Sequence, residues 1–338
     1  MKELLKNILI PSLASSSVSV LANALFGRGI PVFMIHRMKV SGHANSGTTP
    51  EYLRQCLSYL VANGYTFVSL EEIIQSLIKQ TSLPIKSVAF TMDDGFLEQG
   101  TVAAPIFLEF NCPVTFFVVT SMLDQKLWPW DAKVSWIIDN TKKSRITIRF
   151  EDEWLNETLG DKGNCTTARA KIRNIIKEMD AELIPELINQ LAKEAEVSVP
   201  EAAPCCYQSL NWEMARELES RGIRFAPHSM SHRILSKLNR PSAEDEILGS
   251  WQVLERELAN PVKIFCYPTG RVLDFGPREI AILKKESFLG AVSTEPGYVE
   301  VKKDPEKQLF RIPRLVVPDN MKDFMQYCSW IERAKGSS

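Results

Sequence analysis

Two carboxylates stand side by side directly after an apolar segment. Asp93 and Asp94 follow the run 87–92 and precede Gly95. Adjacent carboxylates resist joint ionisation, because a like charge nearby raises one of the two pKa values. A bound cation removes this penalty by ligating one carboxylate, and the other is left free to act as a base. The same residues also suit an ordinary turn at a strand end, so both interpretations stay open at this point.

The chain contains four histidines, and two of them, His228 and His232, stand four residues apart. If the segment forms a helical turn, this spacing puts both imidazoles on one side, where they can bind one metal ion. With an aspartate from another strand end they make a His₂Asp set, which is typical of catalytic zinc sites and also suits other first-row divalent ions. The alternative is a pair of packed or surface histidines without a ligand.

Two further predicted strands end in groups with catalytic capacity. His36 ends the first strand, and histidine is a suitable general acid because it titrates near neutral pH. The segment 265–270 runs from a strand into a Pro-Thr-Gly turn, whose backbone N–H groups can point at a developing oxyanion. A packed histidine and an ordinary turn are the competing interpretations.

Short β-branched or aromatic runs alternate with longer helical patterns along most of the chain, which is typical of βα units around a parallel sheet. The predicted strands are residues 32–36, 87–92, 114–119, 224–228, 262–267, 289–293 and 312–317. Several are apolar throughout, as expected of strands that are covered on both faces. This strand count predicts an α/β fold built as a complete or incomplete barrel.

Residues 125–208 break this rhythm with Lys- and Glu-rich helical patterns, and we interpret them as a helical insertion on one barrel loop. The predicted division is an apolar N-terminal segment at 1–30, the barrel at 31–320, and a C-terminal helix with a tail at 321–338. Tryptophans at the start of the insertion suit either a sugar ring or a core position. These are Trp128, Trp130 and Trp136.

The composition excludes several classes of function. The 338 residues are enough to bury a large core, and 40 basic against 41 acidic residues give a net charge of −1. This balance provides no basic footprint for nucleic acid, so we expect a neutral or small partner. The seven cysteines contain no C-x-x-C spacing, and they predict free thiols in a reducing compartment.

The N-terminal segment supports two different predictions of location. Residues 7–27 carry no charge and follow two lysines, and 22–24 has the A-x-A pattern of a cleavage site. These features favour a secreted or periplasmic protein that is cleaved near Ala24. Pro11 and the serine string at 15–19 weaken the apolar centre, which favours a retained segment on a membrane surface. We expect the cytoplasmic or membrane-apposed form, with secretion as the alternative.

Together these motifs resemble the polysaccharide deacetylases, the NodB-homology domain of carbohydrate esterase family 4. The resemblance rests on Thr-Met-Asp-Asp-Gly at 91–95, on residues 113–119 and on the histidine pair, and it extends over 30–124 and 209–318. It implies a distorted (β/α)₇ barrel, in agreement with the strand count. It also implies metal-dependent hydrolysis of N-acetyl groups on a glycan.

The resemblance implies a role for each candidate residue. Asp94, His228 and His232 match the metal-ligand positions, with zinc as the expected divalent ion. Asp93 matches the general base, since a cation lowers the pKa of bound water toward about 7 and the base can then deprotonate it. The backbone N–H of Thr269 matches an oxyanion donor.

The sequence departs from the family pattern in two respects. The usual late Leu-x-His that supplies the acid is absent, since no histidine follows His232. Permuted family members carry this histidine near the N-terminus, and His36 matches that position. Cys266 and Thr269 stand where the third motif of the family has arginine and tyrosine. Arg314, in the last predicted strand, is our candidate for the missing arginine.

We therefore predict a metal-dependent deacetylase that acts on an N-acetylated oligo- or polysaccharide or on a lipid-linked precursor. The altered third motif leaves a catalytically inactive glycan-binding barrel as one alternative. A hydrolase that removes an O-acetyl or an N-formyl group is the other. We expect no nucleic-acid partner, and the N-terminal segment favours peripheral association with a membrane.

Overall fold

The computed structural model describes residues 29–40, 47–150, 153–301 and 304–329. Every predicted strand is present, although its bounds differ by a few residues. The strands are β1 (Val32–Ile35), β2 (Thr66–Phe67), β3 (Ser87–Asp94), β4 (Val114–Val118), β5 (Arg145–Phe150), β6 (Glu153–Thr158), β7 (Arg224–Pro227), β8 (Ile264–Cys266), β9 (Gly290–Val292) and β10 (Leu315–Val316). Of these, β2, β5 and β6 are not among the strands predicted from the sequence.

Seven strands run parallel around a ring. Five of them are hydrogen-bonded in the order β10-β1-β3-β4-β7, and β8 pairs with β9. The N–H of Val262 donates to the carbonyl of Phe225 at 2.7 Å and joins β8 to β7. A parallel bridge between Val292 and Ile312 joins β9 to the segment that leads into β10. The predicted distorted (β/α)₇ barrel is therefore confirmed.

The strands are apolar because both of their faces are covered. All eight residues of β3 and all five of β4 are buried. Phe90 and Phe116 belong to a cluster that includes the surrounding helices. Their neighbours Ala89 and Phe117 belong to a second cluster, to which each of the seven ring segments contributes. Alternate residues thus fill the barrel interior and the layer between barrel and helices, which explains the lack of polar alternation.

The helices carry sequence signals at both ends. Pro50–Ala62, for example, begins after Thr49, whose hydroxyl accepts the N–H of Tyr52 at 3.1 Å. The helices are α1 (Pro50–Ala62), α2 (Leu70–Lys79), α3 (Ala104–Glu109), α4 (Thr120–Leu123), α5 (Trp130–Asn140), α6 (Lys162–Glu178), α7 (Ile184–Glu194), α8 (Trp212–Ser220), α9 (Arg240–Glu257), α10 (Pro277–Lys285), α11 (Pro305–Gln308) and α12 (Met321–Cys328).

The stretch predicted as an insertion forms three helices, α5 to α7, and the antiparallel hairpin β5–β6. Its apolar side chains, among them Ile148 and Ile172, pack in one cluster with Phe265 and Tyr267 of the barrel. The stretch therefore has no core separate from the barrel. The division at 1–30, 31–320 and 321–338 stays a prediction. Residues 1–28 and the end of the predicted C-terminal helix lie outside the described residues.

Candidate metal centre and active site

The carboxyl ends of β3 and β7 bring the predicted metal ligands together. Asp94 Oδ1 lies 3.5 Å from Nε2 of His228 and 3.5 Å from Nε2 of His232. All three side chains are buried, and their ligand atoms lie within 4.8 Å of one another. Parallel strands end at one edge of the barrel, so residues distant in the chain meet there.

The donor set fits a divalent cation. An ion bonded at about 2.1 Å in tetrahedral geometry holds its donors about 3.4 Å apart, close to the separations seen here. Asp94 Oδ1 is buried, faces both imidazoles and accepts no hydrogen bond. A buried carboxylate oxygen without a donor is costly, and a cation between the three side chains would satisfy it. Nδ1 of His228 lies 2.8 Å from the carbonyl of Cys266, which leaves Nε2 for a metal.

The prediction that the histidines share a helical turn is wrong. The backbone between them is irregular, and Ser229 and His232 have left-handed φ values of 65° and 60°. Asp94 has a φ of 85° and Gly95 one of 91°, so the chain turns sharply at both strand ends. Left-handed conformations of residues other than glycine are strained and cluster at functional sites. Tertiary contacts, not helix geometry, bring the two imidazoles together.

Glu246 on α9 holds the loop that carries the second histidine. Its carboxylate accepts the backbone N–H groups of Met230 and Ser231, each at 2.9 Å, and the hydroxyl of Ser231. Within the loop, the hydroxyl of Ser229 accepts the N–H of His232 at 2.9 Å. Sequence analysis missed Glu246, since a glutamate on a helix carries no local sign of this role.

We expect Glu246→Gln to weaken metal binding about tenfold, because a neutral amide oxygen accepts the two loop N–H groups more weakly than a carboxylate and the amide NH2 cannot accept the hydroxyl of Ser231, so His232 is held less firmly. The measurement is a metal titration of the purified chain. Asp245→Asn, at the neighbouring exposed position, is the matched control and should bind like wild type. Equal affinities for wild type and Glu246→Gln would contradict this role.

Asp93 is held by a bidentate ion pair inside the barrel. Arg314 Nη1 donates to Asp93 Oδ1 and Nη2 to Oδ2, both at 2.7 Å. Arg314 is fully buried, and its Nε donates to the carbonyl of Ser293 at 2.9 Å. Burial favours a raised pKa for Asp93, but Arg314 and then His36 outweigh it and hold that pKa below its ordinary value. The carboxylate is therefore ionised at neutral pH.

Cys266 leaves room for this arginine. It is a free thiol like the other cysteines, and it ends β8 at the position where the resemblance expects arginine. Its Sγ lies 3.3 Å from Nη2 of Arg314 and 3.7 Å from Oδ2 of Asp93. Burial raises the pKa of the Cys266 thiol, so it stays protonated beside the carboxylate. Arg314 thus reaches Asp93 from the residue just before β10, within the last strand predicted from the sequence.

His36 lies at the mouth of the same site. It follows β1, its side chain is 42% exposed, and its Nε2 lies 3.5 Å from Asp93 Oδ2. Gln99, which is fully buried, donates to the carbonyls of His36 and Asp93 and accepts the N–H of Gly95 at 3.1 Å. Gln99 therefore fixes the ends of β1 and β3 relative to each other. Sequence analysis missed this residue too.

Thr269 also lines the site, in a strained loop. It has a left-handed φ of 56°, and its hydroxyl donates to the buried carboxylate of Asp274. Asp274 also accepts the N–H of Arg271 at 2.9 Å. These contacts hold the loop in the conformation that brings residue 269 to the site. The predicted site residues thus surround one cavity.

This cavity has a volume of about 180 Å³ and two kinds of wall. The barrel contributes the predicted metal and catalytic residues together with Tyr267 and Thr294. The insertion contributes Trp130 and Asp131 from α5 and Arg173 and Lys177 from α6. Loops and insertions around a barrel mouth set substrate preference, so the second wall is the expected substrate side.

The three tryptophans of the insertion have different surroundings. Trp128 is buried, packs edge to face on Trp136, and donates its indole N–H to the carbonyl of Pro200 at 3.2 Å. The indole N–H of Trp136 donates to the carbonyl of Ser198 at 3.1 Å. Trp128 is therefore a core residue, Trp136 is half-buried against it, and Trp130 alone of the three lines the cavity.

A family model for the polysaccharide deacetylases matches residues 138–281. This match confirms the resemblance. It includes the histidine pair and β8, whereas Asp93 and Asp94 lie outside it. It also runs through most of the stretch 125–208. The matched region spans less than half of the chain, and it supports a hydrolase that acts on carbon–nitrogen bonds other than peptide bonds.

Solved deacetylase structures share the fold. The Streptococcus pyogenes deacetylase PplD, in complex with acetate, is 18% identical with a TM-score of 0.56, and the match covers 89% of this chain and 98% of that one. IcaB from Ammonifex degensii is 16% identical with a TM-score of 0.55, over 90% and 98% of the two chains. The BpsB deacetylase domain from Bordetella bronchiseptica is 16% identical with a TM-score of 0.52, over 86% and 96%. A search of curated proteins finds no match.

Within the described ranges, no helix combines the length and the apolar character needed to span a bilayer.

Proposed function

We propose that this chain is a metal-dependent polysaccharide deacetylase, which hydrolyses N-acetyl groups of a glycan or a glycan precursor. The observation that carries the proposal is the convergence of Asp94 with the two imidazoles, 3.5 Å from each, beside an ionised Asp93. Asp94, His228 and His232 would hold the cation, and their chemistry favours zinc. A divalent cation bound there would lower the pKa of a water ligand toward about 7 and would polarise the acetyl carbonyl.

Asp93 accepts a proton from the attacking water at a carboxylate oxygen. Arg314 fixes the plane of this carboxylate through two hydrogen bonds, so the free lone pairs keep one direction. The water oxygen bonds to the acetyl carbon, and the backbone N–H of Thr269 is the proposed donor to the carbonyl oxygen. These roles rest on the positions of the side chains around one cavity.

His36 delivers a proton to the amide nitrogen as the bond between carbon and nitrogen breaks. Its exposure of 42% lets it exchange protons with solvent, and its Nε2 lies 3.5 Å from Asp93 Oδ2. The products are acetate and the free amine of the sugar, and the water molecule supplies the oxygen gained by the acetyl carbon. An amine leaves poorly without protonation, so an acid is required.

Metal removal tests the proposal. The purified chain should contain about one divalent ion, and a chelator should abolish acetate release from N-acetylglucosamine oligomers. Added zinc should restore the activity, because the ligand residues are unchanged by chelation. The measurements are elemental analysis and enzymatic detection of acetate.

Three outcomes would contradict parts of the proposal. Full acetate release in the presence of chelator would remove the metal from the mechanism. A metal-loaded protein that binds the oligomers and frees no acetate would be a glycan-binding barrel. Faster hydrolysis of O-acetyl or N-formyl sugars than of N-acetyl sugars would reassign the group removed. Lipid linkage of the substrate, membrane association and the compartment stay predictions, since they depend on residues 1–30.

A further inference from the structure

Two cations on one face of α6 form part of the cavity wall. Arg173 and Lys177 stand four residues apart and both line the cavity that contains the metal-ligand residues. Arg173 is held in place by Nη2, which donates to the backbone carbonyl of Asp131 at 3.2 Å and to the hydroxyl of Ser135. Because these acceptors are neutral, the charge of Arg173 is not compensated by them.

The acidic groups near this pair are mostly occupied. Asp274 and Glu178 form ion pairs with Arg271, at 2.7 and 3.2 Å. Asp131 is the one carboxylate that the insertion contributes to the wall. Among the described residues, no ion pair joins Lys177 to an acid. Burial lowers the pKa of Lys177 and Arg271 lowers it further, while Asp274 and Asp131 act in the opposite direction.

The barrel side of the cavity does not compensate this charge either. Asp93 is neutralised by Arg314 at 2.7 Å. Asp94 faces two imidazoles and would be compensated further by a cation. With Asp131 as its one carboxylate against Arg173 and Lys177, the insertion side of the cavity therefore carries a net positive charge next to the proposed reaction centre. Nε of Arg173 is buried and has no hydrogen-bond partner, which leaves this guanidinium incompletely satisfied.

We propose that Arg173 and Lys177 bind an anionic oxygen group, a phosphate ester or a carboxylate, that the N-acetylated sugar carries beside its scissile amide. This inference rests on the proposed function and narrows its substrate class. A neutral sugar would leave one of the two cations without a counter-charge in a half-enclosed site, because Asp131 is the single carboxylate of this wall, and charge-assisted hydrogen bonds are strong there. In this arrangement the scissile amide lies at the metal-ligand residues, and the anionic group of the sugar lies against α6.

The test compares three substrates. They are N-acetylglucosamine 1-phosphate, N-acetylmuramic acid and the neutral methyl glycoside of N-acetylglucosamine. We expect kcat/KM for acetate release to be about tenfold higher for at least one anionic substrate than for the neutral one. Preference for the phosphate or for the carboxylate identifies which anion is recognised.

Lys177→Gln should reduce the ratio of kcat/KM between the preferred anionic substrate and the neutral substrate to near one. Lys177→Arg should restore most of this ratio. Use of a ratio cancels any loss that is common to all substrates. Lys162→Gln, at an exposed position in the first turn of the same helix, is the matched control and should keep the wild-type ratio. Thermal unfolding of each variant checks that it is folded.

Calorimetric binding of N-acetylglucosamine 1-phosphate gives a second readout. Wild type should bind it more tightly than Lys177→Gln does, with the difference shrinking as salt rises. Equal kcat/KM values for all three substrates in wild type would overturn the inference. It would also be overturned if Lys177→Gln kept both the preference for the anionic substrate and the affinity for N-acetylglucosamine 1-phosphate. Deacetylation of the neutral sugar would then still stand as the proposed function. Absence of acetate from every sugar would instead reject the proposed function, and the binding comparison would still decide the role of Lys177.

Discussion

Asp93→Asn should reduce acetate release by about a hundredfold to ten-thousandfold, the range expected for loss of a general base. The amide has nearly the shape of the carboxylate but cannot accept the proton of the attacking water. Its oxygen can still accept one hydrogen bond from Arg314, which in wild type donates two at 2.7 Å. We therefore expect a folded protein that keeps its metal, measured by acetate detection and elemental analysis together.

Asp94→Asn is the matched comparison for this variant, because the two residues are adjacent and have different roles. Asp94 Oδ1 faces both imidazoles, so its replacement should remove metal and activity together. If Asp93→Asn releases acetate near the wild-type rate, the base is assigned wrongly. If it loses its metal, Asp93 acts as a ligand.

Arg314→Met should move the acid limb of the pH–activity profile to higher pH. Against the effect of burial, Arg314 holds the pKa of Asp93 below its ordinary value. Removal of the guanidinium raises that pKa, so the carboxylate becomes protonated, and inactive as a base, at a higher pH than in wild type. The variant should also unfold more easily, by about 3–5 kcal/mol, because a buried charge loses its partner. The profile of kcat/KM against pH and thermal unfolding measure the two effects.

The sign of the stability effect also depends on pH. Because the pKa of Asp93 is lowered in the folded protein, the ion pair contributes fully above the ordinary aspartate pKa of about 3.9. This contribution is lost as the pH falls toward the lowered value. Wild type and Arg314→Met should therefore differ most at neutral pH and converge in acid.

Arg314→Lys keeps the positive charge but cannot form the bidentate ion pair. The acid limb and the stability of this variant should therefore lie between those of wild type and Arg314→Met. Arg311→Met, three residues earlier and exposed, is the control for loss of an arginine in this segment. An unchanged acid limb in Arg314→Met would show that this ion pair does not control the proton acceptor.

The sequence predicts the barrel strands well because their apolar character is local. β3 and β4 are buried on both faces, so each reads as one apolar run. β2 has two residues, too few to show any period. β6 is mostly polar, and its outward Trp154 is 62% exposed, so its pattern does not distinguish it from a loop. Pairing with a neighbouring strand, which is a tertiary effect, defines both of these strands.

The site is predicted to the extent that its residues stand at strand ends. Asp93, Asp94 and His228 follow this rule, because parallel strands end at one edge. Glu246 and Gln99 stand within helical segments, and nothing local marks them as supports of the site. The cations of α6 lack any signal for the same reason, since a basic residue on an amphipathic helix normally faces solvent. Their role depends on how the insertion packs, which no short motif encodes.

Asp93 pairs with an arginine that lies 221 residues later in the chain. The active site is therefore complete only when the last strand of the barrel is in place. His36 enters with the first strand of the barrel and Arg314 with the segment that leads into the last, and β1 and β10 lie side by side. A folding chain that has formed only the first six strands of the ring contains the three metal-ligand residues. It still lacks Arg314, the counter-ion of Asp93. Turnover should therefore reach its full rate only when β10 has docked, and the rise in activity during refolding would report that final step.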